Sequence, residues 1–166
     1  MTSQRLTDNV PLVPSTIARE LKQKKPFPSK AEEAAVTLMR TADVLRRFIG
    51  AVIEPHGITS QQYNVLRILR GAGEAGLCGR EVGERMITRV PDIPRLLERM
   101  EEAGLIRRER DADDRRHVIA RITDAGLRVV DEVTPVLLSV EHRFFGHLDA
   151  SALDALIDAL DDVRAT

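Results

Sequence analysis

The chain has 166 residues, enough for one domain with arms, and its 43% hydrophobic and 31% charged residues are ordinary for a globular protein. Aromatic residues make up 3% and tryptophan is absent, which favours an aliphatic core of helices packed on helices. The single cysteine excludes an intramolecular disulfide, and no apolar run approaches a membrane span. Because residues 1–15 also lack a signal-peptide pattern, we expect a cytoplasmic protein without membrane contact.

The net charge of −1 conceals an uneven distribution along the chain. Residues 1–30 carry +4 and residues 122–166 carry −6, whereas residues 80–121 hold eleven arginines, ten acidic residues and no lysine. The planar guanidinium of arginine suits phosphates and guanine edges, so this middle segment is a candidate nucleic-acid-binding face. A GC-rich genome would explain the arginines equally well on composition alone.

The first part of the chain is predicted to be a loose arm followed by a long helix. Residues 1–14 contain two closely spaced prolines, and residues 15–25 are predicted to form a short helix that Ser15 caps. From Ser29 onwards, apolar residues recur at three- and four-residue steps, which is typical of a helix with one apolar face. This helix is expected to end near Glu54.

Two more helices are predicted at 58–73, capped by Thr59 or Ser60, and at about 79–86. The stretch TRVPDIPRLLERMEEAGLI follows, a helical pattern that opens with two prolines.

The two prolines leave two possible starts for that helix. We expect Val90 to be the N-cap and Pro91 the first helical residue, which places Pro94 fourth and removes one backbone hydrogen bond. The alternative is a start at Pro94, because the residue before a proline is pushed toward extended geometry.

The C-terminal part is predicted to contain a β-ribbon and two helices. LIRRER and HVIARI read as strands on either side of the polar loop DADDRR. A long helix is expected from Thr123 to Phe144, with a kink or break at Pro135, and a last helix at 151–163 is expected to open with a capping box at Ser151. The predicted fold is mainly α with a small two-stranded β-wing, the plan of a winged helix-turn-helix.

RLLERMEEAGLIRRERDADDRRHVIARITDAG strongly resembles the MarR family of bacterial transcription regulators. The matching features are the Gly-Leu exit of the recognition helix, the wing residues Asp111, Asp114 and Arg116, and the following motif with Thr123 and Gly126. The resemblance covers about residues 30–165. It implies an obligate homodimer whose terminal helices intertwine and whose two winged-helix lobes bind a pseudo-palindromic site in double-stranded DNA.

The resemblance also divides the chain by role within a single integrated domain. It implies an N-terminal arm at 1–28, dimerisation helices at 29–56 and 123–166, and a DNA-binding region at 57–122. The terminal helices carry more apolar surface than a three-helix lobe can cover, which supports the dimer. Alternatively, these helices fold back on their own subunit.

The predicted DNA contacts cluster at the start of the recognition helix, which enters the major groove in helix-turn-helix proteins, and at the wing. They are Arg80, Arg89, Val90, Asp92, Arg95, Arg115 and Arg116. The resemblance assigns Arg116 to a minor groove and Asp114 to holding it; the alternative is a solvated turn with internal ion pairs. Asp92 either accepts a hydrogen bond from the N4 amino group of cytosine or stabilises the helix start.

MarR-like regulators often release DNA when a small aromatic or phenolic compound binds between the dimer and DNA lobes. His56, Tyr63 and Arg67 are the nearest polar candidates for such a pocket, although Tyr63 also fits a core position. Cys78 is expected to be a small buried residue rather than an oxidant sensor. We therefore expect a repressor that a ligand releases, with no metal and no other cofactor.

Two other classes of protein are alternatives to a DNA-binding regulator. No glycine-rich phosphate loop, HExxH or GxSxG motif occurs, so an enzyme is not expected. A winged-helix module that binds protein without DNA is the alternative, and the arginines near the recognition helix argue against it.

Overall fold

The computed structural model describes residues 15–110 and 118–165 of the chain. It divides into two compact units, residues 1–46 and 47–166. Within the described residues the fold is mainly helical with a small antiparallel sheet, which confirms the predicted fold class. The helices are α1 Thr16–Glu20, α2 Lys30–Ile53, α3 Ser60–Ala72, α4 Gly79–Arg85, α5 Ile93–Glu102, α6 Asp124–Phe145 and α7 Ala150–Arg164, and the strands are β1 Leu77–Cys78, β2 Ile106–Arg110 and β3 Val118–Ile122.

The N-terminal unit contains α1 and most of α2. Ser15 caps α1 as predicted, because its hydroxyl accepts a hydrogen bond from the Ala18 N–H at 3.4 Å. The helix ends at Glu20, so the predicted extent to residue 25 was wrong. Lys22 adopts a positive φ of 51°, a left-handed conformation that cannot continue a helix. The predicted start of α2 is confirmed, with the Ser29 hydroxyl accepting from the Glu32 N–H.

The second unit begins with the end of α2 and a short 3-10 turn that leads to α3. Thr59 caps α3 in a reciprocal capping box with Gln62. The Gln62 N–H donates to the Thr59 hydroxyl at 3.2 Å, and the Thr59 N–H donates to the Gln62 side chain at 2.8 Å. One of the two predicted caps is therefore confirmed, and α3 begins at its neighbour Ser60.

The start of α5 differs from the preferred prediction. Asp92 is the N-cap, and its carboxylate accepts from the Arg95 N–H at 2.9 Å. Pro94 is then the second helical residue, where its missing N–H would have no helical partner. The prediction that Val90 caps the helix and that a backbone hydrogen bond is lost was therefore wrong, because the aspartate supplies a stronger cap two residues later.

The sheet has one strand more than the predicted ribbon. β2 and β3 pair antiparallel, with Ile106 opposite Ile122 and Arg110 opposite Val118. β1 pairs with the other edge of β3, so the strand order is β1-β3-β2. At two residues β1 is too short to leave a sequence period, and only its partner strand defines it.

The junction of the wing with α6 gives a structural reason for the Thr123 and Gly126 motif that resembles the MarR family. The Thr123 hydroxyl accepts from the Gly126 N–H at 3.2 Å and donates to the Gly104 carbonyl at 2.7 Å. A Cβ on Gly126 would overlap the Leu105 carbonyl oxygen. The threonine therefore caps the helix, and the glycine allows the backbone of the preceding element to pass close by.

The two C-terminal helices depart from prediction in one detail each. α6 continues past Pro135 as one helix, which excludes the break but leaves the predicted kink as a prediction. α7 begins at Ala150, because Asp149 accepts from the Ala152 N–H at 2.8 Å and serves as the cap. The predicted capping box at Ser151 was wrong, since this carboxylate precedes it by two residues.

The core of the second unit is aliphatic, as the composition predicts. It joins α3, α4, α5, the sheet and the N-terminal half of α6 around completely buried side chains. The largest of these are Ile53, Leu66, Leu69, Met100, Ile106, Val65, Val82, Val130 and Val133. This packing fixes the positions of α4 and α5, which carry the candidate site.

Candidate nucleic-acid interface

Helices α4 and α5 form a closely packed pair. A Cβ on Gly83 of α4 would lie 3.3 Å from the Ile93 side chain at the start of α5, so the helices approach closely at this point. α5 buries Leu96, Leu97 and Met100, which lie at helical spacing on one face. Its other face is exposed and charged. Helix α5 is therefore held by its buried apolar face, and its charged face is exposed to solvent.

Residues 86–92 join the two helices, and three of them form an exposed tip. Met86 and Val90 are partly buried and pack against the core, and the three residues between them are exposed. The Ile87 N–H donates to Oδ1 of Asn64 on α3 at 2.9 Å. The tip Ile87, Thr88 and Arg89 is thus anchored at both ends and hydrogen-bonded at its first residue.

The tip region places two apolar residues in different surroundings. Val90 packs against the core and is only partly exposed, whereas Ile87 is 87% exposed. Sequence reasoning missed Ile87. The signal that could have found it is an isoleucine in a short turn between two helices, where no helical period assigns it to a buried face.

Arg89 and Arg95 flank the start of α5, and both are exposed. Neither makes an ion pair with another described residue. Arg80 lies 3.8 Å from the Glu84 carboxylate, and its side chain is 82% exposed. An exposed pair at that distance contributes little, so the Arg80 guanidinium can exchange this carboxylate for another anion at small cost.

The arginines of the wing strands serve a different purpose. Arg108 donates from its backbone N–H and its Nε to the Glu101 carboxylate, each at 2.8 Å. Arg121 donates from Nε to the Glu74 carbonyl oxygen at 2.7 Å and from Nη1 to Glu109. These contacts tie the wing to α5 and to the loop after α3. Part of the arginine density in this segment is therefore structural.

An open concavity of about 390 Å³ lies between the start of α4, the start of α5 and the wing. Arg80, Pro94 and Arg108 are among its lining residues, so the two helix starts and the wing share one concave side of the molecule. Cys78 also lines it and is half-buried rather than buried. The Cys78 backbone N–H, with a smaller contribution from its thiol, holds the pKa of Glu81 below its ordinary value.

The tip of the wing lies outside the described residues. This includes Asp111, Asp114, Arg115 and Arg116, so their roles stay predictions.

The three effector-pocket candidates have different surroundings. Tyr63 is 5% exposed, and its hydroxyl lies 3.1 Å from the Thr134 hydroxyl on α6, the core position that the sequence left open. His56 lies with Nδ1 3.4 Å from the Glu132 carboxylate. Arg67 is on the exposed face of α3. The structure brings the first two against α6 and leaves Arg67 facing outward.

Metal-binding clusters are absent from residues 15–110 and 118–165. Among these residues, no group of three or more histidine, cysteine, aspartate or glutamate side chains is placed to hold a metal ion. None of the helices in the same ranges is long and apolar enough to cross a membrane.

Comparisons with known proteins agree with this architecture. Residues 56–117 match the sequence profile of the MarR family. The chain is 30% identical over 109 residues to the transcriptional regulator HosA of Escherichia coli O157:H7. The aligned region covers 66% of this chain and 79% of HosA.

Two solved structures show the same fold. PcaV, a transcriptional regulator from Streptomyces coelicolor in complex with its natural ligand, is 28% identical, has a TM-score of 0.66, and the match covers 83% of this chain and 94% of PcaV. MepR of S. aureus in complex with DNA has a TM-score of 0.73 at 20% identity, over 82% of this chain and 98% of MepR.

The packed pair α4 and α5 together with the β2–β3 ribbon defines a winged helix-turn-helix protein. The chain belongs to the MarR family of transcriptional regulators.

Proposed function

We propose that the chain is a homodimeric, sequence-specific DNA-binding regulator, a repressor that a small aromatic or phenolic ligand releases. The observation that carries this proposal is the start of α5, where exposed Arg89 and Arg95 flank a helix whose other face is buried in the core. No catalytic activity is assigned to the chain, and a regulator of this kind would act on DNA in the cytoplasm.

In this proposal α5 enters the major groove with its N-terminal residues at the base edges. Arg95 and Arg89 bind guanine edges or phosphates, and Arg80 binds a phosphate beside them. Asp92 acts through the helix, because its carboxylate already accepts the Arg95 N–H, and Val90 supports the tip from below. Base reading therefore rests mainly on the arginines.

The wing completes the contact in the same proposal. Arg116 inserts into an adjacent minor groove, Asp114 holds its guanidinium, and Arg115 binds the backbone.

A second copy of the chain is the partner proposed for the terminal helices. α2 has Ile53 as its one buried residue, and α7 has none among the described residues. Exposed apolar side chains lie on α2, α6 and α7, and they include Met39, Leu138 and Ile157 at 64%, 58% and 54% exposure. Residues 29–56 and 123–166 would form the dimer lobe, residues 57–122 the DNA-binding lobe, and residues 1–28 an arm.

The proposed ligand site lies where α3 meets α6, next to His56 and Tyr63. PcaV, a transcriptional regulator of the same fold, was solved in complex with its natural ligand, which supports a ligand-responsive regulator. A ligand with a phenolic or carboxylate group would compete for the hydroxyl contact between Tyr63 and Thr134. Arg67, on the outer face of α3, would join such a site only after a side-chain rearrangement.

The test is a gel shift of the purified full chain on the region upstream of its own gene, at several salt concentrations. Affinity should fall steeply as salt rises, because arginines at phosphates release counterions. Flat or absent binding to this region and to duplexes selected from a random library would contradict the proposal and favour the protein-binding winged helix. Adding phenolic acids to a positive reaction tests ligand release.

A further inference from the structure

The tip between α4 and α5 exposes one large apolar side chain in a charged setting. Ile87 is 87% exposed, a higher fraction than any other large hydrophobic side chain among the described residues. Arg85, the last residue of α4, and Arg89 lie two positions away on either side, and both are exposed. A single exposed isoleucine is common on protein surfaces, so its surroundings must carry the argument.

The contacts around Ile87 keep its side chain pointing into solvent. Its N–H is bonded to Oδ1 of Asn64 at 2.9 Å, and Met86 before it and Val90 after it pack against the core. A free loop would let an isoleucine fold back onto nearby apolar surface. With the backbone held at these points the side chain stays in solvent, at the end of the molecule where α5 begins.

The chemistry of the DNA groove supplies a partner for such a side chain. In the major groove the bases present hydrogen-bond donors and acceptors, and the one apolar group is the C5 methyl of thymine. Arginines on both sides suit the phosphates that border the groove. Resting on the proposed function, we propose that Ile87 contacts a thymine methyl in each half-site and specifies thymine there.

Asn64 is a positioning residue in this arrangement. Its amide oxygen accepts the Ile87 N–H and so fixes the backbone that carries Ile87.

The experiment measures how the full chain responds to loss of single methyl groups. Duplexes are selected with the wild-type chain from a random-sequence library, and each thymine is replaced in turn by deoxyuridine, which lacks only the methyl group. Fluorescence anisotropy at fixed salt gives each Kd. Replacement at one symmetric pair of positions should weaken binding about four-fold for each methyl removed.

The variants Ile87→Ala and Ile87→Val connect that effect to the side chain. Ile87→Ala should bind the thymine duplex about as weakly as the wild type binds the deoxyuridine duplex, and it should show no further loss on deoxyuridine. Ile87→Val keeps part of the discrimination. Thr88→Ala, the adjacent tip residue, is the matched control and should discriminate as fully as the wild type. All of these substitutions fall on exposed residues, so folding is checked by circular dichroism alone.

The outcomes separate this inference from the proposed function. Selected sites without a thymine in each half, a wild type indifferent to every replacement, or an Ile87→Ala variant that still discriminates would each overturn it while DNA binding stands. A wild type that enriches no duplex overturns the proposed function, and this inference with it.

Discussion

Individual residues in this protein are constrained by close contacts that their neighbours in sequence do not reveal. Gly126 lies in the first turn of α6, where a helix tolerates alanine well by intrinsic preference. Its hydrogen atoms nevertheless face the Leu105 carbonyl and the side chains of Ile122 and Leu66. Packing, rather than backbone conformation, requires the glycine there.

We expect Gly126→Ala to lower the free energy of unfolding by about 3 kcal/mol, because the new methyl group overlaps a backbone oxygen that cannot move freely. Gly71→Ala is the matched control, since Gly71 lies near the end of α3 and a Cβ added there would meet no atom within 4 Å. It should be neutral or gain up to about 1 kcal/mol. Urea unfolding at equal protein concentrations measures both, and equal effects would contradict this explanation.

The arginines divide into those with protein partners and those without. Arg108 and Arg121 are bonded to glutamates or to a carbonyl, whereas Arg89 and Arg95 have no ion pair with another described residue. Because Arg89 and Arg95 also flank the start of α5, we propose them as DNA contacts.

Arg95→Ala should weaken DNA binding by about 1–3 kcal/mol if it reads a base. If instead it binds a phosphate, binding should weaken uniformly across sequences and the salt slope should fall by about one for each lost contact. Arg128→Ala, an exposed arginine on α6, is the control and should leave binding unchanged. Anisotropy titrations at several salt concentrations distinguish base reading from phosphate binding. DNA affinity unchanged in Arg95→Ala would show that this residue is not part of the interface.

At the scale of elements, side-chain caps set the beginnings of the helices. Thr59, Asp92, Thr123 and Asp149 each accept a backbone N–H three residues later. Each bond satisfies a donor that the first turn leaves without a helical partner. In α5 the cap at Asp92 also places Pro94 in the first turn, where the proline interrupts no helical hydrogen bond.

Asp92→Ala should lower the free energy of unfolding by about 1 kcal/mol, the usual effect of losing such a cap. Pro94→Ala should not stabilise the chain, because the proline occupies the first turn and interrupts no hydrogen bond. Were Pro94 inside the helix, alanine would gain about 3 kcal/mol. Chemical unfolding distinguishes these results, and a gain of that size would favour a helix that starts at Pro91.

At the scale of the whole molecule, large apolar side chains lie exposed on the terminal helices. α7 exposes Leu156, Ile157 and Val163, and α2 exposes Leu38, Met39 and Phe48. Exposed apolar surface marks interaction sites, and we propose that a second copy of the chain covers it.

We expect sedimentation at several concentrations to show a dimer. Ile157→Asp should shift the mass toward the monomer, because it places a charge in the proposed contact. Ile87→Asp is the control, since this residue is still more exposed but lies at the tip before α5. A monomeric wild type, or a dimer that Ile157→Asp leaves intact, would contradict the proposed dimer lobe.

The sequence by itself determined the order of the helices, the bounds of α2, α3 and α6 to within a few residues, and the family. These features depend on signals within about four residues of one another, namely helical apolar periods and caps such as Thr59 and Thr123. The same local signals misled where two caps competed, as at Asp149 and Ser151.

Only the tertiary structure decided which residues of the candidate site are exposed and which are already engaged by other residues of the protein. β1 exists because β3 pairs with it, Arg108 is engaged because Glu101 lies beside it, and Val90 is partly buried while Ile87 is exposed. Each of these facts depends on a partner from another element. Residue type and spacing carry no record of such partners, so the arginines and apolar residues of this segment gain distinct roles only when the chain is folded.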